Sequence, residues 1–207
     1  RSYAPGAAHI YCVEQAITNT DVIYAGTATA GFWRSSDKGQ NWSCLSKNIP
    51  VSSVYSVEID PANENIVYFS GAGTLYKSID GGETNTDIGA GEFSPDISIK
   101  EIAIHNGKLW VASDQGLYYS TNSGSSFTQK ESGSWQEIEV HSTNNQVIYA
   151  IRVNPTSTSF FKSTNNGSSF LEIGNGWPSP ASGDEQKRTE IAVSAASPNQ
   201  IVALATG

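Results

Sequence analysis

Four short phrases in this 207-residue sequence place an oxygen-bearing side chain two residues after a serine and a glycine two residues further on. They run Ser35-Ser36-Asp37-Lys38-Gly39-Gln40-Asn41-Trp42, Ser78-Ile79-Asp80-Gly81-Gly82-Glu83-Thr84-Asn85, Ser120-Thr121-Asn122-Ser123-Gly124-Ser125-Ser126-Phe127 and Ser163-Thr164-Asn165-Asn166-Gly167-Ser168-Ser169-Phe170. Carboxylates beside a glycine turn are the material of a calcium loop. One carboxylate per phrase, none in the last two and no closing bidentate glutamate would leave the ion poorly neutralised. The phrases read instead as tight turns. Asp37, Asp80, Asn122 and Asn165 are placed to accept backbone N–H groups two or three residues on, and Gly39, Gly82, Gly124 and Gly167 tolerate positive φ. Trp42, Phe127 and Phe170 then begin a strand and plug the core beneath the turn.

Other chemistry is thinly seeded. Asp60, Asp96, Asp114 and Asp184 are the acids that could flank a glycosidic bond as acid and base, yet they sit in no motif and read as solvated loop residues. Glu14, Glu58 and Glu139 occupy equivalent places in first strands, a structural column more than a catalytic pair. His105 and His141 share the column of Asp60 and Ser194, one per unit, and His9 lies outside it, which falls short of a converging metal-ligand set. Cys12 and Cys44 are too few for a disulfide framework or a zinc site, and are either two partly buried thiols or one disulfide. No nucleophile-elbow or phosphate-loop phrase occurs. No cofactor, metal or catalytic residue is therefore predicted.

Twelve basic against twenty acidic side chains leave a net charge of −8. With the cations thinly spread, nucleic acid is excluded as a partner. No apolar run approaches the ~20 residues of a membrane span, so no membrane insertion is expected.

The elements that position the phrases follow from their spacing. Their first serines lie 43, 42 and 43 residues apart. Ahead of each comes an aromatic-rich strand (Phe32-Trp33-Arg34, Leu75-Tyr76-Lys77, Leu117-Tyr118-Tyr119, Phe160-Phe161-Lys162), and ahead of that a second strand such as Val22-Ile23-Tyr24-Ala25 or Val147-Ile148-Tyr149-Ala150. A third family opens each unit: Tyr55-Ser56-Val57-Glu58-Ile59, Glu101-Ile102-Ala103-Ile104, Glu137-Ile138-Glu139-Val140 and Glu190-Ile191-Ala192-Val193. Four short strands per ~43 residues predict an all-β fold, a β-propeller of four-stranded antiparallel blades. Blades are expected at about 8–50, 51–95, 96–134 and 135–175, with a further one starting over 188–207. About four and a half blades predict a partial propeller from a longer chain.

A Ser-x-Asp-x-Gly-x-Thr-Trp turn between propeller strands resembles the Asp-box, or BNR, repeat. Four evenly spaced copies make the likeness cover nearly the whole chain, with Asn for Asp in copies three and four and Asn85 for the aromatic in copy two as departures. The family includes sialidases, xyloglucanase-like glycoside hydrolases, sortilin-like receptors, photosystem assembly factors and large secreted bacterial surface proteins. The stretch Asp21–Thr27 followed by Phe32–Gly39 most resembles the last group and the xyloglucanase-like and sortilin-like branches. A sialidase would need three arginines converging on a carboxylate, and Arg1, Arg34, Arg152 and Arg188 are the only four available.

Two segments break the repeat: the hairpin around Asn154–Thr158 and the insertion from Gly174 to Arg188. Loops added to a rigid frame often carry binding, so Trp177, Asp184, Lys187 and Arg188 form the candidate partner-binding loop. The resemblance implies an exported, extracellular or cell-surface interaction module of a larger bacterial protein or assembly, non-catalytic, with a protein partner or surface glycan. The alternatives are part of a polysaccharide-active, xyloglucanase-like glycoside hydrolase, and an assembly factor for a membrane complex.

Overall fold

The computed structural model describes residues 9–94, 96–154, 157–174 and 188–206, and among these there is no helix. Four antiparallel four-stranded sheets follow one another along the chain. The first comprises β1 (Ile10–Gln15), β2 (Ile23–Thr27), β3 (Phe32–Ser35) and β4 (Ser43–Cys44). The second comprises β5 (Val57–Ile59), β6 (Val67–Gly71), β7 (Thr74–Ser78) and β8 (Thr86–Asp87). The third comprises β9 (Ile99–His105), β10 (Lys108–Ser113), β11 (Gly116–Ser120) and β12 (Thr128–Ser132), and the fourth β13 (Trp135–Val140), β14 (Ile148–Asn154), β15 (Ser157–Ser163) and β16 (Leu171–Glu172). A hairpin of β17 (Arg188–Ser194) and β18 (Ser197–Thr206) begins a fifth.

Within each sheet the strands lie in sequence order, and each sheet meets the next chiefly through its innermost strand, β1 against β5, β5 against β9, β9 against β13 and β13 against β17. The sheets are therefore blades set about a common axis, an arc of a β-propeller. The second strands explain why: β6 and the core of β10 are buried on both faces, which demands a neighbour on each side. The cores accordingly lie between blades. Phe32 of the first stacks on Phe69 of the second at 4.2 Å, extended by Tyr24 and Tyr76. Trp110 of the third packs with Trp135 and Phe161 of the fourth.

The recurring octets all form the turn between third and fourth strands, with one geometry. The serine is the hub. Ser35 Oγ accepts the N–H of Gly39 at 2.9 Å and donates to Asp37 Oδ1 at 2.8 Å, and Ser78, Ser120 and Ser163 repeat both bonds. The Asp or Asn oxygen then accepts an N–H four residues on, from Asn41, Thr84, Ser126 and Ser169. This corrects the sequence expectation of a partner two or three residues away: the serine hydroxyl occupies the N–H two residues on, and in the first, third and fourth octets the backbone carbonyl of Asp37, Asn122 or Asn165 accepts the N–H three residues on, so the side-chain acceptor reaches past them. The fourth residue of every octet is left-handed, including the non-glycines Lys38, Ser123 and Asn166. No group of His, Cys, Asp or Glu that could hold a metal exists among the described residues.

Phe127 and Phe170 pack against the cores as partly buried rings, while Trp42 folds back so that its indole N–H donates to Gly39 O at 2.9 Å. Asn85, in the aromatic's place, donates to Gly82 O at 3.2 Å, reproducing that bond without the ring.

Candidate functional site

First strands run away from one axial face and third strands run parallel to them, so the octet turns lie on the opposite face from the starts of β5, β9, β13 and β17. The turns of the second and third strands share that starting face.

The innermost strands pose a local problem. Their inner edges have no further strand, so their N–H groups face the channel unpaired. The glutamate column solves it across the blade joints. Glu58 Oε1 accepts the N–H of Ile104 in the next blade at 2.8 Å, and Glu139 Oε1 accepts that of Val193 at 3.3 Å. One layer nearer the starting face, Ser56 Oγ accepts the N–H of Ile102 at 3.0 Å and donates to Glu101 Oε1 at 3.1 Å. Carboxylates gathered on one axis repel and are desolvated. Burial, joined by Glu139, raises Glu14. Burial raises Glu58 well above the ordinary range, with Glu14, Glu101 and Glu139 adding to it against the Ile104 N–H. Burial likewise lifts Glu101 to about 8, opposed by Ser56, so that at neutral pH it holds its proton.

Two cavities open on the starting face and share Tyr55. One, of about 170 Å3, is lined by Tyr55, Lys100, Glu101, Gln136, Glu137 and Glu190. The other, of about 230 Å3, is walled by hydroxyls of Ser52, Ser53, Ser70, Thr74 and Ser98 with Ile97 and Ile99. Between them the Tyr55 ring stacks on Tyr11 at 4.7 Å, carries the Lys100 ammonium 5.8 Å from its centre and remains 42% exposed. Lys100 is fixed by donating to Ser98 Oγ at 2.8 Å. The ensemble offers an aromatic ring, a fixed cation, several hydroxyls and a protonated carboxyl able both to donate and to accept, which is what binding of a neutral polyhydroxylated ligand requires.

The structure separates most residues singled out from sequence. Ser35, Asp37, Gly39, Ser78, Asp80, Gly82 and their counterparts lie on the far face. Asp60 Oδ1 accepts the N–H of Ala62 in a turn on that face, whereas Asp114 Oδ1 accepts that of Ser98 on the starting face, so these acids do not form a pair. His105 Nε2 lies 2.9 Å from Asn145 O of the next blade, and His141 Nδ1 accepts the N–H groups of Thr143 and Asn144. Cys12 Sγ points to Val54 O at 3.9 Å and Cys44 Sγ lies 3.6 Å from Ser46 Oγ, so both remain thiols. Trp177, Asp184 and Lys187 lie outside the described residues, and Arg188 begins β17 opposite Thr206.

Sequence reading missed Tyr55, Lys100 and Glu101 as a group. The signal that could have found them is the polar residue two places before the position held by Glu58, Ala103, Glu139 and Ala192 in the first strands of successive units. Ser56, Glu101, Glu137 and Glu190 occupy that place, facing the same axis one layer higher.

No family model matches the chain. Among characterised proteins it is similar to a xyloglucanase of Hypocrea jecorina (strain QM6a), 29% identical over 164 residues that cover 74% of this chain and 18% of that protein. A xyloglucanase of Paenibacillus sp is 27% identical over 161 residues, 68% of this chain and 16% of that protein. The chain thus spans under a fifth of the length of these relatives. Among solved structures, the GH74 enzyme of Niastella koreensis superposes with a TM-score of 0.68 at 18% identity, over 77% of this chain and 28% of the other. YCF48 bound to D1 peptide superposes with a TM-score of 0.61 at 16% identity, over 89% of this chain and 60% of the other. The fold that these likenesses show is the β-propeller, here as a partial one.

Proposed function

We propose that this chain is a glycan-binding, non-catalytic segment of a larger exported polysaccharide-active or surface protein, built from Asp-box units at about 8–50, 51–95, 96–134 and 135–175 with a further unit begun over 188–207. The supporting observation is the Tyr55 ring, half-exposed on Tyr11 where the two polar cavities meet. Sugar faces stack on aromatic rings while ring hydroxyls bond to flanking polar groups. Similarity to xyloglucanases favours a β-glucan such as xyloglucan as the ligand. The absence of a motif around Asp60, Asp96 and Asp114, and the placing of Asp60 and Asp114 on opposite faces, favour a binding role. If the whole protein is a glycoside hydrolase, this segment lends a wall of the cleft and other segments supply its catalytic pair.

Affinity electrophoresis in gels containing xyloglucan tests the reading. Retardation by the native chain, lost in Tyr55→Ala and unaccompanied by release of reducing ends, is the expected result. Unretarded migration overturns the glycan reading, and release of reducing ends overturns the non-catalytic one.

A second reading is favoured by the likeness to YCF48, of which the chain spans more than half and which was solved with a peptide. In it the same face docks an extended peptide of a partner, and the candidate loop of Trp177, Asp184, Lys187 and Arg188 supplies part of the contact. Co-purification of a membrane complex with the tagged protein, undiminished by xyloglucan, is its signature.

A further inference from the structure

The fourth blade departs from the others at one place on the starting face. Three residues beyond the buried aromatic of each second strand, Tyr24, Tyr68 and Trp110 are followed by Thr27, Gly71 and Ser113, whereas Tyr149 is followed by Arg152. In the first three blades that residue ends its strand and a tight turn follows. Thr27 Oγ1 donates to Gly31 O at 3.0 Å, Ser113 Oγ donates to Gly116 O at 2.9 Å, and Gly71 pairs with Thr74. In the fourth blade the hairpin runs on, with Arg152 opposite Ser159, Val153 opposite Thr158 and Asn154 opposite Ser157. The two added pairs carry it about 7 Å further out.

One face of this projection is polar. Ala150 lies in the core between the third and fourth blades, and alternation along the strand puts Arg152 and Asn154 on that same side, with Ser159 and Ser157 opposite them. Asn154 Nδ2 donates to Ser157 Oγ at 3.4 Å. The Arg152 guanidinium carbon rests 4.8 Å from the centre of the Phe161 ring and 5.9 Å from that of Trp135. Trp135 is itself held through its indole N–H on Ser132 O at 3.1 Å, and a Cβ on Gly133 would lie 3.5 Å from Arg152 Cδ. The arm is thus fixed. Yet its Nε is buried with no acceptor, and the one ion pair among the described residues joins Lys38 to Asp21. By contrast Lys77, Lys108 and Lys130 are each committed to a backbone carbonyl of the next blade. A planar fork of N–H donors left unused in a partly buried place costs free energy that a bound anion would recover.

Arg152 also adjoins the Tyr55 cleft. It pairs with Trp135, and Gln136, the residue bulged out between Trp135 and Glu137, lines the cavity that Tyr55 and Glu101 share. A bulge re-aims the side chain it carries. We propose that Arg152, with Asn154, Ser157 and Ser159, forms a carboxylate subsite that receives a uronic acid borne by an otherwise neutral glycan. The inference rests on the glycan reading of the Tyr55 cleft and adds to it an acidic substituent. The guanidinium fork matches the two oxygens of a carboxylate, and the serine hydroxyls and the Asn154 amide suit the sugar hydroxyls beside it. A densely charged polyanion is disfavoured, because the chain carries a net charge of −8 and Glu137 and Glu190 line the adjoining cavity. A single carboxylate among neutral sugars escapes most of that repulsion.

The test compares affinity electrophoresis in gels containing glucuronoxylan with gels containing the same polymer after carboxyl reduction, which turns each uronic acid into a neutral sugar. The native chain is expected to bind the acidic form at least about tenfold more tightly, and Arg152→Gln is expected to bind the two forms alike. Arg152→Lys, which keeps the charge and loses the fork, is expected to recover only part of the preference. In parallel, the native chain is titrated with methyl glucuronide and with methyl glucoside while the Arg152 Nε–H resonance is followed by NMR, a readout that needs no variant to fold. A saturable shift with the glucuronide alone supports the subsite. A resonance unmoved by the glucuronide, or one that answers only to an acidic peptide, overturns it. Retardation that is equal in the two gels, or a preference that survives in Arg152→Gln, refutes the subsite and leaves the glycan reading standing. Unretarded migration in both gels refutes the glycan reading and, with it, the inference built on it.

Discussion

Carboxylates do the same job in two regions of this molecule and acquire opposite proton affinities. At the octet turns, Asp37, half-buried, and Asp80, exposed, accept backbone N–H groups close to solvent. The Thr84 hydroxyl, then the Thr84 N–H and Ser78, hold Asp80 at about 2, and Asn41 with Ser35 lowers Asp37. In the channel, Glu58 accepts an equally short N–H, yet burial among like charges outweighs it and the group is raised. A hydrogen bond to a carboxylate therefore does not fix its charge. The solvent around it decides whether donors or desolvation prevail.

The largest expected effect comes from the turns' backbone. Gly167→Ala imposes both a left-handed alanine and a collision with Trp110, and is expected to lower stability by ~3 kcal/mol, about 6–12 °C in melting temperature. Gly39→Ala carries the backbone strain alone and is expected to cost ~1–2 kcal/mol. Equal losses at the two positions, measured by thermal denaturation, would break the claim that octet glycines serve blade packing.

On the channel side, Glu58→Ala strands the Ile104 N–H and is expected to cost ~1–3 kcal/mol in urea denaturation, with Glu58→Gln recovering most of it because the amide oxygen still accepts.

The pH profile sharpens the contrast. A raised glutamate favours the folded state fully below its unfolded value near 4.5, and that contribution is lost as pH rises through the folded value, about 8 for Glu101. A lowered aspartate contributes fully above its unfolded value near 3.8 and fails as pH falls toward about 2 for Asp80. Melting temperature is thus expected to peak near pH 4–5. Glu101→Gln should flatten the alkaline limb, raising the melting temperature at pH 8 by roughly 3–6 °C. Asp80→Asn should flatten its share of the acid limb and change stability at neutral pH only slightly, because the natural octets already show the substitution at work: Asn122 and Asn165 keep the Oδ1 acceptor and donate through Nδ2 to Ser126 and Ser169 at 2.9 Å.

The blade and its turns were legible in the sequence because each depends on neighbours along the chain. An octet closes on itself, and a strand buried on both faces announces itself as Val67-Tyr68-Phe69. The cleft was not legible, because Tyr55, Lys100 and Glu101 become one surface only through packing of successive blades. Glu58 and Glu139 were readable as a column but not as caps for the next blade's backbone, since the N–H groups they serve lie 46 and 54 positions away.

The outermost strands β4, β8 and β16 are two residues long. A polypeptide made of near-duplicate sheets is at risk of joining the wrong rims, within one molecule or between molecules, whenever it is crowded and half-folded. Rims this short give a stranger no register to hold, and the longer β12 commits its Lys130 ammonium to Ser168 O at 2.7 Å. Growth of the assembly is thereby confined to the direction around the axis, and lateral stacking into fibres is discouraged.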